Sequence, residues 1–201
     1  MAIKYPSLQD YVNSPEEEIK NITSSFSDHV KLTNNAAYRP RLVFFDFFGD
    51  KIFGIVARSY VDETDFKSCI AEMMYSYSAV HAEACVLVLD STYKSKDSKN
   101  VNNCLHCYFV GDKSAGVVFL PYTLNGKEVV WDIAQQNSKE IDLKDHDGVT
   151  QEMIELLYAY THLDKPPFSI NDLLSYYTSM HYQFRSFKNM NITYIDYSKS
   201  K

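Results

Sequence analysis

The sequence predicts an α+β protein: a mostly antiparallel sheet of about six strands, ordered ββαββββ, with an N-terminal helix and a C-terminal helical pair. Three observations predict it. Stretches with apolar residues three and four apart occur near the N-terminus, once in the middle and twice near the C-terminus. Between them lie β-branched and aromatic runs too short for helices. Tight-turn signals, Gly49-Asp50 and Asn125-Gly126, join neighbouring runs as hairpins do.

Taken in order, Ser14-Pro15-Glu16-Glu17 starts a helix, with a capping hydroxyl, proline at the first helical position and a glutamate to close a capping box. The helix is expected over about 15–32. Ile19, Ile22, Phe26 and Val30 form its docking stripe, leaving Glu18, Lys20 and Asp28 in water. RLVFFDFF and KIFGIVARSY then read as a hairpin. Asp62 or Thr64 caps the next helix, whose Phe66, Ile70, Met73, Met74 and Tyr77 share one face. AEACVLVLDSTYK, LHCYFVG, GVVFLPYTL and KEVVWDIA follow as an antiparallel meander. Residues 1–135 are thus expected as an α+β domain, 136–148 as a polar linker, and 149–201 as a helical extension on the same body. The first terminal helix is expected over about 149–163; the second starts at Ser169-Ile170-Asn171-Asp172 and runs to about 187.

At 201 residues, 45% hydrophobic and 23% charged, the chain has the composition of an ordinary globular protein with one core. Its net charge of −6 argues against a surface made for nucleic-acid phosphates, which are held by Lys and Arg. Neither a signal peptide nor an apolar run of membrane-spanning length is expected. Four cysteines, at 69, 85, 104 and 107, read as reduced thiols in a cytoplasm rather than a disulfide framework. The 16 Tyr and 12 Phe, with abundant Lys, Asn and Ser, suggest an AT-rich genome, such as that of a bacteriophage or a small-genome bacterium.

The stretch from Val80 to Gly111 holds His81-Ala82-Glu83 and, with 20 residues between, Cys104-Leu105-His106-Cys107. This resembles the zinc-dependent cytidine and deoxycytidylate deaminases. The resemblance implies His81, Cys104 and Cys107 as zinc ligands and Glu83 as the proton shuttle to a metal-bound water. Three features depart from that family. Asn103 stands where the family has proline; Glu83 runs into the strand-like CVLVLD rather than a helix; and CLHCYFVG reads as strand, which would turn Cys104 and Cys107 to opposite faces.

Other chemistry is sparser. Asp46 and Asp90, on neighbouring strands, could hold a divalent ion or act as acid and base. Asp97-Ser98-Lys99 and Asp142-Leu143-Lys144 each match half a nuclease motif. Phe44, Phe45, Phe47, Phe48, Tyr108 and Phe109 could stack bases if exposed, or fill the core if not. The amphipathic run from Phe66 leading into the strand that ends Asp90-Ser91-Thr92-Tyr93 is similar in pattern, over about residues 41–133, to a family of uncharacterised bacterial and phage proteins. That likeness implies an accessory protein and assigns no catalytic residue. The expected function is accordingly non-catalytic: a phage-encoded accessory or interaction protein without a cofactor, binding a protein partner or itself. Tyr158, Tyr160, Tyr176 and Tyr182 are its expected interaction surface, since tyrosine is enriched at interfaces. A zinc deaminase of a cytosine nucleoside or nucleotide is the alternative.

Overall fold

The computed structural model describes residues 12–33, 38–94, 101–111, 114–132, 136–141, 149–163 and 168–187. Along the chain the elements are α1 (Pro15–Thr33), β1 (Arg41–Phe45), β2 (Lys51–Val56), α2 (Glu63–Ala79), β3 (Ala84–Lys94), β4 (Val101–Gly111), β5 (Ala115–Asn125), β6 (Glu128–Trp131), β7 (Asn137–Ile141), α3 (Val149–Thr161), α4 (Ile170–Ser179) and β8 (Gln183–Ser186). The strands form one eight-stranded sheet in the order β6-β5-β4-β3-β1-β2-β8, with β7 also on β5. Every pairing is antiparallel, so the α+β class holds with two strands more than expected.

Both extra strands lie where the sequence is least periodic. β7 sits inside the polar stretch expected as a linker and pairs with Ala115–Phe119, while β6 pairs with Tyr122–Asn125 further along the same edge. β8 replaces the end of the helix expected to reach 187. α4 stops at Ser179, His181 takes a left-handed φ of +62°, and Gln183–Ser186 pairs with β2. Four residues cannot separate a helical period from an alternating one, and no glycine or proline marks the stop.

The sheet carries a helix layer on each face. On one, Ile19, Ile22, Phe26 and Val30 of α1 pack on Val86, Val88, Cys107, Phe109, Leu120 and Tyr122. Glu18 is not in water as expected: it is buried and its carboxylate meets the Lys51 ammonium at 2.5 Å. On the other face, α2, α3 and α4 cover Leu42, Phe44, Phe53, Leu87 and Val117. Asp62 proves to be the α2 cap, accepting from the Asp65 N–H at 2.8 Å.

A polar cluster clips the C-terminal elements to α2. Arg58 reaches Asp65 at 2.7 Å and Glu72 at 3.4 Å. Tyr182 donates to the Glu72 carboxylate, and Tyr177 donates to the Glu72 carbonyl at 2.7 Å while lying 2.8 Å from the Ser76 hydroxyl.

The β1–β2 turn is rigid for local reasons. The Asp46 carboxylate accepts from the Phe48 and Asp50 N–H groups, both at 3.0 Å, and Gly49 supplies the positive φ of +74°. A side chain at Gly49 would meet the Asn13 nitrogen at 2.8 Å. The turn holds Phe47 and Phe48 edge to face with 80% and 70% of their surface in solvent.

Candidate functional site

The structure does not bring the deaminase-like residues together. His81 lies in the turn between α2 and β3, exposed, with φ +54°, and Glu83 is exposed beside it. In the β3–β4 ladder Ala84 pairs with Gly111 whereas Ser91 pairs with Cys104. At roughly 3.3 Å per residue, those two pairs are about 23 Å apart along the strands. Zinc ligands must lie within about 4 Å of one another, because each bond is only about 2 Å long. Cys107 belongs to the α1-side core, and strand alternation turns Cys104 to the other face with His106 and Tyr108. The alternative ligand set is therefore not assembled by this fold.

All four thiols are free and buried. Burial raises each of them, Cys104 to about 12. A thiolate-specific disulfide reagent at pH 8 is therefore expected to label native protein at least tenfold more slowly than protein in denaturant, followed by absorbance. One thiol reacting at the unfolded rate would contradict the burial.

Asp46 and Asp90 do not pair either. Phe45 is opposite Ala84, so Asp90 lies about 20 Å further along β3 at roughly 3.3 Å per residue. Asp46 serves its own turn, and Asp90 accepts from the Tyr122 hydroxyl at 2.8 Å. The half-motifs at Asp97 and Asp142 lie outside the described residues.

The expected tyrosine surface is largely consumed in packing. Tyr182 is only 3% exposed, because its hydroxyl is tied to Glu72 and its ring lies against Tyr177. Tyr158 and Tyr160 are half-buried, packed against His162 and Tyr75. Tyr176 is exposed. Of the six aromatics expected on strands, Phe44, Phe45, Tyr108 and Phe109 are core, and Phe47 and Phe48 are the exposed pair of the turn.

The site that the fold does build lies where β3 outruns β1. The ladder to β1 covers only Ala84–Val88, so Leu89, Asp90, Ser91 and Thr92 border a cavity of about 950 Å³. Consecutive residues line it because it faces the strand's edge rather than one of its faces. Tyr60, Val61, Asp62, Glu63, Phe66 and Lys67, leading into α2, form one wall; Glu152, Met153, Glu155 and Leu156 of α3 form another; Tyr38 and Pro40 close the side towards β1. His106 and Tyr108 of β4 also line it.

Within it, His106 Nδ1 lies 3.1 Å from the Tyr108 hydroxyl and its ring packs edge-on to Phe119 at 4.9 Å. His106 Nε2 is fully buried and has no hydrogen-bond partner among the described residues. Burial lowers His106 to about 4, so its imidazole is neutral at pH 7. Burial likewise raises Tyr108 to about 12, and raises Asp90 against the opposing hydrogen bond from Tyr122. The arrangement offers a neutral imidazole, a half-buried carboxylate and aromatic walls: hydrogen-bonding and stacking groups suited to recognition. Sequence reasoning weighed Asp90 only as a partner of Asp46 and met His106 only inside the Cys104–Cys107 motif; the ladder sets them on adjacent rungs, Leu89 opposite His106 and Asp90 opposite Leu105. No family model, no curated protein and no solved structure matches this chain.

Proposed function

We propose that this chain is a non-catalytic, cytoplasmic accessory protein that works by binding, with the β3-edge cavity as its ligand site. The observation that carries the reading is the cavity itself: about 950 Å³, within the range of small-molecule sites, and lined in part by His106, whose Nε2 is buried and unpartnered among the described residues. A buried polar atom left without a partner costs about 1–3 kcal/mol, a cost that a ligand's hydrogen bond would offset. Four free buried cysteines fit a reducing compartment, and the AT-rich composition fits a phage gene. No helix among the described residues is long and apolar enough to cross a membrane.

The test is a fragment screen by protein-observed NMR. Binders should shift the methyl signals of Leu89, Met153 and Leu156 together. If no fragment in a diverse library moves them, the cavity is not a ligand site.

A second reading rests on the Phe47–Phe48 turn. Two rigidly held, solvent-exposed aromatics are the kind of anchor that dominates protein interfaces, and self-association through them keeps the interaction role while moving it from the tyrosines. Sedimentation velocity over a concentration series should show a reversible oligomer that a Phe47→Ser/Phe48→Ser variant loses. Exposed substitutions of this kind change stability by only about 0.5 kcal/mol. A monomer at every concentration would retire the self-association reading.

A further inference from the structure

Resting on the cavity reading above, we infer that the ligand is an organic cation: a protonated amine or quaternary ammonium carried on an aromatic or aliphatic body. Charge is the first argument. The lining contains five carboxylates, those of Asp62, Glu63, Asp90, Glu152 and Glu155, against the single ammonium of Lys67. Lys67 is already engaged, with Glu63 at 3.0 Å and Glu152 at 3.3 Å. An anionic ligand would enter a field of its own sign, whereas a cation is drawn in and held.

The aromatic walls make the second argument. Tyr60 and Phe66 meet at 5.1 Å between ring centres and form a corner at the mouth, where Tyr60 keeps 42% of its surface in solvent. Such rings attract a cation through the negative faces of their π systems, by about 0.5–2 kcal/mol each depending on desolvation. Tyr38 contributes less, because the Arg41 guanidinium already covers its ring at 4.2 Å. That contact shows the same chemistry at work a few residues away.

His106 is the third, independent observation. As a neutral ring it adds no competing positive charge to the cavity. Its Nδ1 lies 3.1 Å from the Tyr108 hydroxyl, and in the tautomer that protonates Nδ1 the Nε2 lone pair has no partner among the described residues. In that tautomer an ammonium N–H that reached Nε2, once the side chains over it moved, would satisfy it, and a charge-assisted hydrogen bond is about twice as strong as a neutral one. Asp90, half-buried at the strand edge and turned towards the α1-side face where Tyr122 donates to it, adds to the cavity's negative charge from across the strand rather than beside His106.

The experiment holds the body constant and varies the charge. Tryptamine, its neutral alcohol analogue tryptophol and its anionic analogue indole-3-propionate are titrated by calorimetry at pH 7 and low salt. Tryptamine should bind at least tenfold tighter than tryptophol, with indole-3-propionate weakest. Asp90→Asn should cost tryptamine about tenfold and leave tryptophol unchanged. Tyr60→Leu, at a partly exposed position that the fold does not depend on, should do the same more mildly and serves if Asp90→Asn does not fold. Equal or tighter binding of the alcohol or acid overturns the cation assignment and leaves the cavity reading standing. So does failure of all three when fragments from the NMR screen bind. If neither series binds, the cavity reading falls with it.

Discussion

Replacing Tyr177 by alanine is expected to lower the unfolding free energy by about 4 kcal/mol, and replacing it by phenylalanine by about 1–2 kcal/mol. The first number comes from emptying a site that is fully buried between α2 and β8, where the ring lies 5.1 Å from Tyr182 and 6.4 Å from Phe184. The second isolates the hydroxyl. That group donates to the Glu72 carbonyl and sits against the Ser76 hydroxyl, which is itself fully buried and would lose its partner. Urea denaturation of the three proteins measures both. A cost below about 1 kcal/mol for Tyr177→Ala would mean that α4 and β8 rest on the body without stabilising it. The expected size follows from where α4 lies: it completes the same core that Leu42, Phe53 and Met73 begin.

Acidification from pH 6.5 to pH 4 is expected to cost the wild-type protein up to about 3 kcal/mol through His106 alone. The sign follows from the direction of the shift. Burial lowers the folded-state value to about 4, below the roughly 6.5 of an unfolded chain, so between these values the unfolded state binds more protons. The stabilisation is present above pH 6.5 and lost as pH falls through that window. Asp90, raised by burial, works in the opposite sense in the carboxylate range, and Asp65, held low by Arg58, adds to acid sensitivity below it. Comparison with His106→Gln removes these shared contributions. The variant should show a flatter pH profile of unfolding free energy between pH 6.5 and 4, and an unchanged slope would mean that the imidazole is hydrated and titrates normally.

Much of the fold was legible from local chemistry. The two caps at Asp62 and Ser169, the turns at Gly49 and Gly126, and the long apolar strands each declare themselves within a few residues, because capping, positive φ and side-chain alternation are local properties. Ser169 illustrates it: its hydroxyl accepts from the Asp172 N–H at 3.2 Å, as the four letters alone imply. The departures of His81-Ala82-Glu83 and Cys104 to Cys107 from a zinc site were legible on the same grounds, since a strand cannot aim residues three apart at one metal. β7 and β8 were not legible. Their pairing is supplied by the edges of β5 and β2, which no local pattern in Asn137–Ile141 or Gln183–Ser186 reveals.

By itself, then, the sequence determined the α+β class and the element types along most of the chain. Tertiary structure alone decided the site. The cavity exists because β3 is longer than its pairing with β1, so that Asp90 and His106 meet walls from α2 and α3 that are distant along the chain. It also decided the fate of the tyrosines: Tyr182 and Tyr176, six residues apart, ended buried and exposed because the Tyr182 ring packs into the core beside Tyr177 with its hydroxyl on Glu72, while Tyr176 lies on the outer side of α4. Register, strand overhang and the partner of a buried hydroxyl are properties of two segments at once, and a single segment carries no record of them.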